Sequence, residues 1–284
     1  DMAHFADEYY DGTALMDIRV VSTLGLTDAD LEALRGLDDV EAAMGAYETA
    51  VMATIDGEQY AVRVHSLPES AAASVQVDAM NVESDDSSYL NRLVLTEGRW
   101  PEQPGECIIS ADRVMATPTA VGDEVKIDYG ASDVDEVLKT RRYTIVGYAT
   151  TPYYVSSTQM GSTSLGSGVV EQFMYVPEDD FAESYPYTEA FVTVSGARDE
   201  MAGSFDYQAR VDAVLKEIAG LAPERERERL AQLRADAQAE LNRERERYEA
   251  ERADAEAQLD DARASLDAAA AAIRNSEAEL AQGQ

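Results

Sequence analysis

The sequence predicts an α+β fold: an α/β subdomain with an inserted β-rich subdomain, followed by a long projecting coiled-coil helix. Three observations lead to this prediction. Alternating strand patterns flank a helix near the start of the chain, short strand-like runs separated by turn residues fill its middle, and its C-terminal fifth consists almost entirely of helix formers. We therefore place the α/β subdomain in residues 1–68 and 173–222, the insert in 69–172 and the helical arm in 223–284.

The first α/β stretch contains a strand, a helix and a hairpin, in that order. Leu15–Ser22 alternates apolar and polar residues, which is typical of a strand. Thr27, with Asp30 three positions later, matches a capping box and therefore predicts the start of a short helix. The dipeptide Asp56-Gly57 between two strand-like runs predicts a tight hairpin turn.

The middle of the chain is rich in short strand patterns, namely Arg92–Thr96, Glu106–Ser110, Asp123–Tyr129 and Tyr143–Ala149. Two more strand patterns follow, at Phe173–Val176 and Ala190–Ser195, with Pro177 opening a short helical turn between them. This return to α/β patterning is expected if one subdomain is inserted into another. The two ends of the insert should then lie close together.

The chain is predicted to be helical from Tyr207 onward, and Pro223 marks either a kink or a new helix start. Beyond Pro223, Ala, Glu, Arg, Gln and Leu dominate, and all are good helix formers. At 1.5 Å per residue, a helix of this length would extend for roughly 90 Å. That is too long to be covered by the preceding domain, so we expect it to project.

A heptad pattern marks one face of this arm. Its large apolar members recur every seven residues, and a small residue lies four positions before each of them, at Ala255, Ala262, Ala269 and Ser276. We name the large members the seam; they are Leu259, Leu266, Ile273 and Leu280. Such a pattern predicts a coiled coil. The partner would be a return segment of the same polypeptide or a second protomer, and the alternative is a solvated single helix held by Glu–Arg pairs.

The composition excludes many classes of function. The formal net charge is −33, and residues 1–222 hold −27 of it, so the chain would be repelled by nucleic acid and we expect no nucleic acid partner. The 16 acids of residues 223–284 are largely balanced by 10 arginines. A solvated acidic surface is the ordinary interpretation of this excess, and binding of cations or a cationic peptide is the alternative.

Residues for catalysis are scarce. The chain has two histidines and one cysteine, and it lacks a phosphate-binding loop, a nucleophile elbow and a zinc-protease motif. The sequence therefore predicts no enzyme and no catalytic, cofactor-binding or metal-binding residues. We expect His65 to be structural and Cys107 to be a buried, inert thiol. The pair Tyr153-Tyr154 either lines a binding cleft or packs between subdomains.

Several segments resemble a known family. Asp17-Ile18-Arg19-Val20, followed by Gly25-Leu26-Thr27 and Asp30, is similar to the start of the extracytoplasmic domain of MacB/FtsX-like ABC transporter permeases. The segments 97–110, 121–127, 143–154 and 173–181 resemble later parts of the same domain, in the same order. The arm resembles, by composition and heptads, the coiled-coil extension of the large Gram-positive members.

The resemblance implies an α/β porter-like subdomain with a β-rich insert, displayed on the extracellular side of the cell membrane. It also implies membrane helices in the same polypeptide and a cytoplasmic ABC ATPase as an indirect partner. In such permeases the external domain is non-catalytic and transmits or receives ATP-driven motion, for export or mechanotransmission. The alternative function is a cell-surface sensor or regulator, for peptide-antibiotic sensing or for activation of a cell-wall hydrolase.

Overall fold

The computed structural model describes residues 2–111, 119–154 and 160–282, and it divides into two units, residues 1–225 and 226–284. The helices are α1 (Met2–Gly12), α2 (Asp28–Arg35), α3 (Ser70–Ala73), α4 (Val134–Val137) and α5 (Phe205–Gln282). The first six strands are β1 (Ile18–Leu26), β2 (Val40–Ala46), β3 (Glu48–Ile55), β4 (Glu58–Leu67), β5 (Val75–Gln76) and β6 (Val82–Glu83). The others are β7 (Val94–Gly98), β8 (Glu106–Ser110), β9 (Glu124–Gly130), β10 (Arg142–Thr150), β11 (Gln172–Pro177) and β12 (Tyr187–Val194). This content confirms the predicted α+β class.

A three-stranded antiparallel sheet joins the two ends of the α/β pattern. Its order is β1-β12-β2, with Ile18 opposite Val192 and Ala190 opposite Gly45. One face of this small sheet packs against α2 and the first turns of α5, through Leu31, Leu34, Val211 and Val214 among others. Strands about 170 residues apart in sequence are therefore direct neighbours, as expected if the chain leaves this sheet and later returns to it.

The remaining long strands form a seven-stranded mixed sheet in the order β7-β10-β8-β11-β4-β3-β9. The first part of β10 also pairs with β9, so six of these strands close into a barrel. Closure leaves few free edges, and β7 covers the other part of β10. The apolar side chains of the barrel strands form one large cluster, which includes Val64, Val125, Ile145 and Met174.

Strand pairing groups the chain differently from the predicted subdomains. Residues 48–67 and 173–177, predicted to belong to the α/β part, share the barrel with β8, β9 and β10 of the predicted insert. The alternating pattern of β3 and β4 indicates a strand but carries no information on which sheet it joins. The boundaries at 68, 172 and 222 therefore stay a prediction.

The helix start and the hairpin turn predicted near the start of the chain are both confirmed. Helix α2 begins directly after Thr27, whose backbone N–H donates to the Asp30 carboxylate at 2.7 Å. Strands β3 and β4 form an antiparallel hairpin across Asp56 and Gly57, whose φ angles are 50° and 83°. Positive φ at both central residues is what a type I′ turn requires.

The helices at the two ends differ from the prediction in their extent. Met2–Gly12 is helical, and this helix is not predicted from the sequence. Helix α5 begins at Phe205, two residues before the predicted start, because the Ser204 hydroxyl accepts from the Tyr207 N–H at 3.2 Å and caps the first turn. It continues through Pro223, which is therefore not a helix start. Within the described ranges, no helix has both the length and the hydropathy that crossing a bilayer requires.

Candidate functional site

The small sheet and the barrel meet where the chain passes from β2 to β3. A single residue, Tyr47, separates the two strands. Charged and aromatic side chains from both sheets converge here with the segment that follows β10. We call this group the joint cluster, and its members are Arg19, Glu48, Arg63, His65, Tyr153, Tyr154 and Glu189.

Ion pairs link the elements of the joint cluster. The Arg19 guanidinium, on β1, binds Glu189 of β12 at 2.5 Å and Glu48 of β3 at 3.2 Å. Arg63, on β4, binds the other oxygen of Glu48 at 3.1 Å. Glu48 therefore bridges an arginine of the small sheet and an arginine of the barrel. Two carboxylates and two guanidinium groups balance each other, which is necessary for charges held at low exposure.

Two tyrosines cover the cluster. The Tyr153 hydroxyl donates to Glu189 at 3.1 Å, and the Arg19 guanidinium lies over the Tyr153 ring, 5.7 Å from its centroid. The Tyr154 hydroxyl lies 2.5 Å from His65 Nε2. Burial raises the pKa of both phenols far above their ordinary value, so both stay protonated. These tyrosines therefore enclose the cluster and form hydrogen bonds to it, and they do not act as bases.

His65 is fully enclosed and carries no charge at neutral pH. Burial, and after it the charges of Arg63 and Arg19, lower the pKa of His65 to about 3. Its ring stacks on Tyr175, with the centroids 5.0 Å apart. Nε2 faces Tyr154, while Nδ1 faces Glu189 Oε1 at 4.0 Å. The imidazole therefore holds a hydrogen bond with one nitrogen and presents the other to a carboxylate.

Glu189 is the most deeply placed acid of the cluster, with its side chain 1% exposed. Burial, and next the charge of Glu48, raise its pKa, while Arg19 lowers it. Its Oε2 atom accepts from Arg19 and Tyr153, but Oε1 has no hydrogen-bond partner among the described residues. The Arg63 Nε–H nearby is also unsatisfied within the same part of the chain. A buried carboxylate oxygen without a donor is costly and needs an explanation.

This arrangement offers ion pairs, hydrogen bonds and metal-ligand atoms. The cluster contains no thiol or activated hydroxyl, and its imidazole cannot be protonated at ordinary pH. Glu48, His65 and Glu189 nevertheless offer three ligand atoms that lie within 4.8 Å of one another. Among the described residues, this is the one group of three or more such side chains close enough to hold a metal ion.

Sequence reasoning found part of this cluster. His65 is buried at the meeting of the two sheets, where Tyr153 and Tyr154 pack against it, and its predicted structural role stays a prediction. Glu48 and Glu189 were not singled out, because acids are abundant and their distances through space cannot be read from sequence. One signal was available for Glu189: it stands next to the apolar run 190–192 in a strand whose neighbours are buried.

Cys107 is buried in the barrel core, and burial raises the pKa of its thiol far above the ordinary value. A protonated, enclosed thiol is a poor nucleophile. The predicted burial of this thiol is therefore confirmed, and its inertness stays a prediction.

The seam residues lie on one continuous helix, α5, and their side chains are largely exposed. Leu259, Leu266, Ile273 and Leu280 are 57%, 69%, 60% and 73% exposed. The structure thus gives the predicted heptad its helix, and the pairing along it stays a prediction.

No protein-family model matches the chain, and no curated protein sequence matches it significantly. Among solved structures, it is similar to the extracellular domain of the noncanonic ABC-type transporter YknZ from Gram-positive bacteria, with 14% identity and a TM-score of 0.35 over 70% of this chain and 87% of that one. It is also similar to the periplasmic region of MacB from Actinobacillus actinomycetemcomitans, with 10% identity and a TM-score of 0.36 over 71% of this chain and 76% of that one. Both neighbours are extracytoplasmic domains of the kind that the sequence resembles.

Proposed function

We propose that this chain is a non-catalytic extracytoplasmic domain of an ABC transporter permease, and that it couples ATP-driven motion to an external substrate or partner. One observation carries the proposal. The first strand of residues 1–225 and the last strand before α5 are hydrogen-bonded neighbours in the small sheet, with Ile18 opposite Val192.

The external domain of a permease requires such a pairing of its first and last strands. A domain inserted between two membrane helices must receive the chain and return it at adjacent points. Antiparallel pairing of β1 and β12 brings the start of β1 beside the end of β12. Displacement of either connecting segment would then act first on the small sheet.

The contacts between the small sheet and the barrel support a coupling role. Tyr47 is the single residue between β2 and β3, and the Glu48 N–H donates to the Thr188 hydroxyl at 2.7 Å. The ion pair between Arg19 of β1 and Glu48 of β3 adds a second connection. Because packed elements move as bodies, a displacement of the small sheet would be passed on to the barrel at these points.

The location can be tested by cysteine labelling in intact cells. Cys107 is the only cysteine of the chain and is fully buried, so the natural sequence has a low background. Val21→Cys and Val75→Cys place thiols at positions that are 62% and 61% exposed. We expect a membrane-impermeant maleimide to label both variants of the full-length permease in intact cells above the level of the natural permease. Labelling of the two variants only after permeabilisation would place the domain in the cytoplasm and overturn the proposal.

Coupling can be tested with the full-length permease and its ATPase in proteoliposomes. Arg19→Gln removes the ion pair with Glu48 that joins the two sheets, together with the Glu189 pair within the small sheet. Arg142→Gln removes an exposed pair within the barrel as a matched control. We expect the first variant to lower transport per ATP hydrolysed and the second to leave it unchanged. Equal transport per ATP in all three proteins would contradict coupling through this joint.

A sensor or regulator module is the second candidate, favoured by the −27 charge of residues 1–222. Such a surface concentrates cationic ligands. In the same proteoliposomes, a sensor would change its ATP turnover when a cationic peptide is added outside, without moving the peptide across the bilayer.

A further inference from the structure

We propose that Glu48, His65 and Glu189 form a binding site for one divalent transition-metal ion, with Zn²⁺ as the probe. The sequence predicts no metal site, because the three ligands are far apart in the chain and each comes from a different strand. The fold brings their ligand atoms within 4.8 Å of one another.

The ligand types favour a transition metal over calcium or magnesium. One imidazole nitrogen and two carboxylate oxygens form a mixed set of the kind that Zn²⁺ accepts, whereas Ca²⁺ and Mg²⁺ prefer oxygen ligands alone. His65 Nδ1 points toward Glu189 Oε1 at 4.0 Å, and the Nε2 atom is held by the Tyr154 hydroxyl. A hydrogen bond at the second ring nitrogen is the usual support of a metal-bound histidine, because it fixes the tautomer.

The geometry requires only a small contraction. Three points within 4.8 Å of one another lie no more than about 2.8 Å from a common centre. Zinc is bound at about 2.0–2.2 Å by nitrogen and carboxylate oxygen, so each ligand atom would move inward by roughly 0.7 Å. Small rotations of the two carboxylate side chains and of the His65 ring would supply that contraction.

An independent observation points to a missing ligand. Glu189 Oε1 is buried and has no hydrogen-bond partner among the described residues, and the same atom faces His65 Nδ1. Such oxygens are rare in folded proteins, because losing water without gaining a donor costs free energy. A cation between Nδ1 and Oε1 would satisfy both atoms.

The arginines make this site competitive. Arg19 and Arg63 already neutralise the two carboxylates, so an ion would bind in place of one guanidinium. Arg19 is the one that can leave, since its side chain is 41% exposed whereas that of Arg63 is 15% exposed. Removing the Arg19 charge should therefore tighten metal binding, and removing either acid should weaken it.

The first measurement is calorimetric titration of the 284-residue chain with ZnCl₂. We expect one saturable site, at least about tenfold weaker in Glu189→Gln and in His65→Gln, and tighter in Arg19→Gln. Glu58→Gln, an exposed acid on β4, is the matched control and should bind as the natural sequence does. Equal affinity in Glu189→Gln and the control would show that exposed acids bind the ion, and would overturn the proposal.

The second measurement does not depend on a variant that folds. The chain has only two histidines, His4 and His65, so the imidazole ¹⁵N spectrum is simple. Zn²⁺ should shift the Nδ1 signal of His65 at one equivalent and fix the proton on Nε2, while the signals of His4 stay unchanged. Absence of a change at His65 up to saturating zinc would overturn the site, whatever the labelling and transport experiments find.

Discussion

Residues 1–225 and the arm are each stabilised by a different kind of internal contact. Residues distant in sequence meet in the first, and near neighbours in sequence meet in the second. In the first unit, strands distant in sequence pair with one another, as β1 does with β12 and β4 with β11. In the arm, the ion pairs join residues three or four positions apart, as Arg247 does with Glu244 and Glu251, and every described side chain from 234 to 281 is exposed. The comparison separates a region stabilised by burial from one stabilised by local propensity.

The difference matters because the two kinds of contact differ in strength. Complete burial of a Leu or Ile side chain contributes about 1.5–3 kcal/mol, whereas an exposed helical ion pair contributes about 0.2–0.5 kcal/mol. A long helix with only local pairs is marginal in water, since most helical stability in proteins comes from packing an apolar face. The exposed seam is where that packing would occur.

The difference in stabilisation can be tested most directly by truncating one isoleucine to alanine in each region. Ile145→Ala, in the barrel core with 0% exposure, should lower the free energy of unfolding by about 2–5 kcal/mol. Ile273→Ala, 60% exposed, should change it by no more than about 0.5 kcal/mol in the monomer. Urea unfolding followed by Trp100 fluorescence reports the first unit and circular dichroism reports the arm. A cost above about 1.5 kcal/mol at Ile273 would mean that the seam is covered in solution.

Charge on the seam tests whether the arm pairs with another helix. Leu266→Asp with Ile273→Asp should weaken that pairing by several kcal/mol and leave residues 1–225 folded, because a buried unpaired carboxylate is costly. Ala264→Asp with Ala271→Asp adds the same charge on the opposite face of the helix and is the matched control. Sedimentation and circular dichroism measure association and helicity. If both are the same in the two double variants, the seam is a solvated face.

Replacing glycine with alanine should change the stability of the protein in opposite directions at two positions. Gly98 has a φ of +81°, and an added Cβ would lie 2.2 Å from the Val146 carbonyl oxygen, so Gly98→Ala should destabilise the first unit by about 1–3 kcal/mol. Gly220 lies inside α5 with nothing within 4 Å of such a Cβ, so Gly220→Ala should stabilise by about 0.5–1 kcal/mol. Thermal unfolding measures both. A loss at Gly220 would mean that the helix is interrupted there.

The smallest expected effect is a pH dependence at the edge of the barrel. Hydrogen bonding from Arg99, the largest cause, lowers the pKa of Glu106 to about 2. The folded value lies below the ordinary one of 4.5, so this pair stabilises the protein above about pH 4.5 and loses its contribution as the pH falls toward 2. Arg99→Gln should therefore flatten the loss of stability over that range in urea titrations. Arg142→Gln, at an exposed pair with Glu124, should leave the slope unchanged.

Sequence reasoning succeeded where the structure depends on near neighbours. The Thr27–Asp30 cap, the Asp56-Gly57 turn and the helical arm each follow from residues within four positions of one another, or from propensity summed along the chain. It failed where contacts are long-range. Closure of the barrel through the pairing of β9 with β10 and the meeting of Glu48 with Glu189 depend on strand order, which a period-two pattern does not encode.

The pairing of β1 with β12 also determines how the first unit responds to tension. The start of β1 and the end of β12 lie at the same end of an antiparallel pair, so forces that separate them load the hydrogen bonds one after another, as in a zipper, and not all at once in shear. Opening would begin at Ile18 and Val192 and proceed toward Val21 and Glu189. The Arg19–Glu189 ion pair spans these first pairs of the two strands, so it would have to break before the opening could pass Val21.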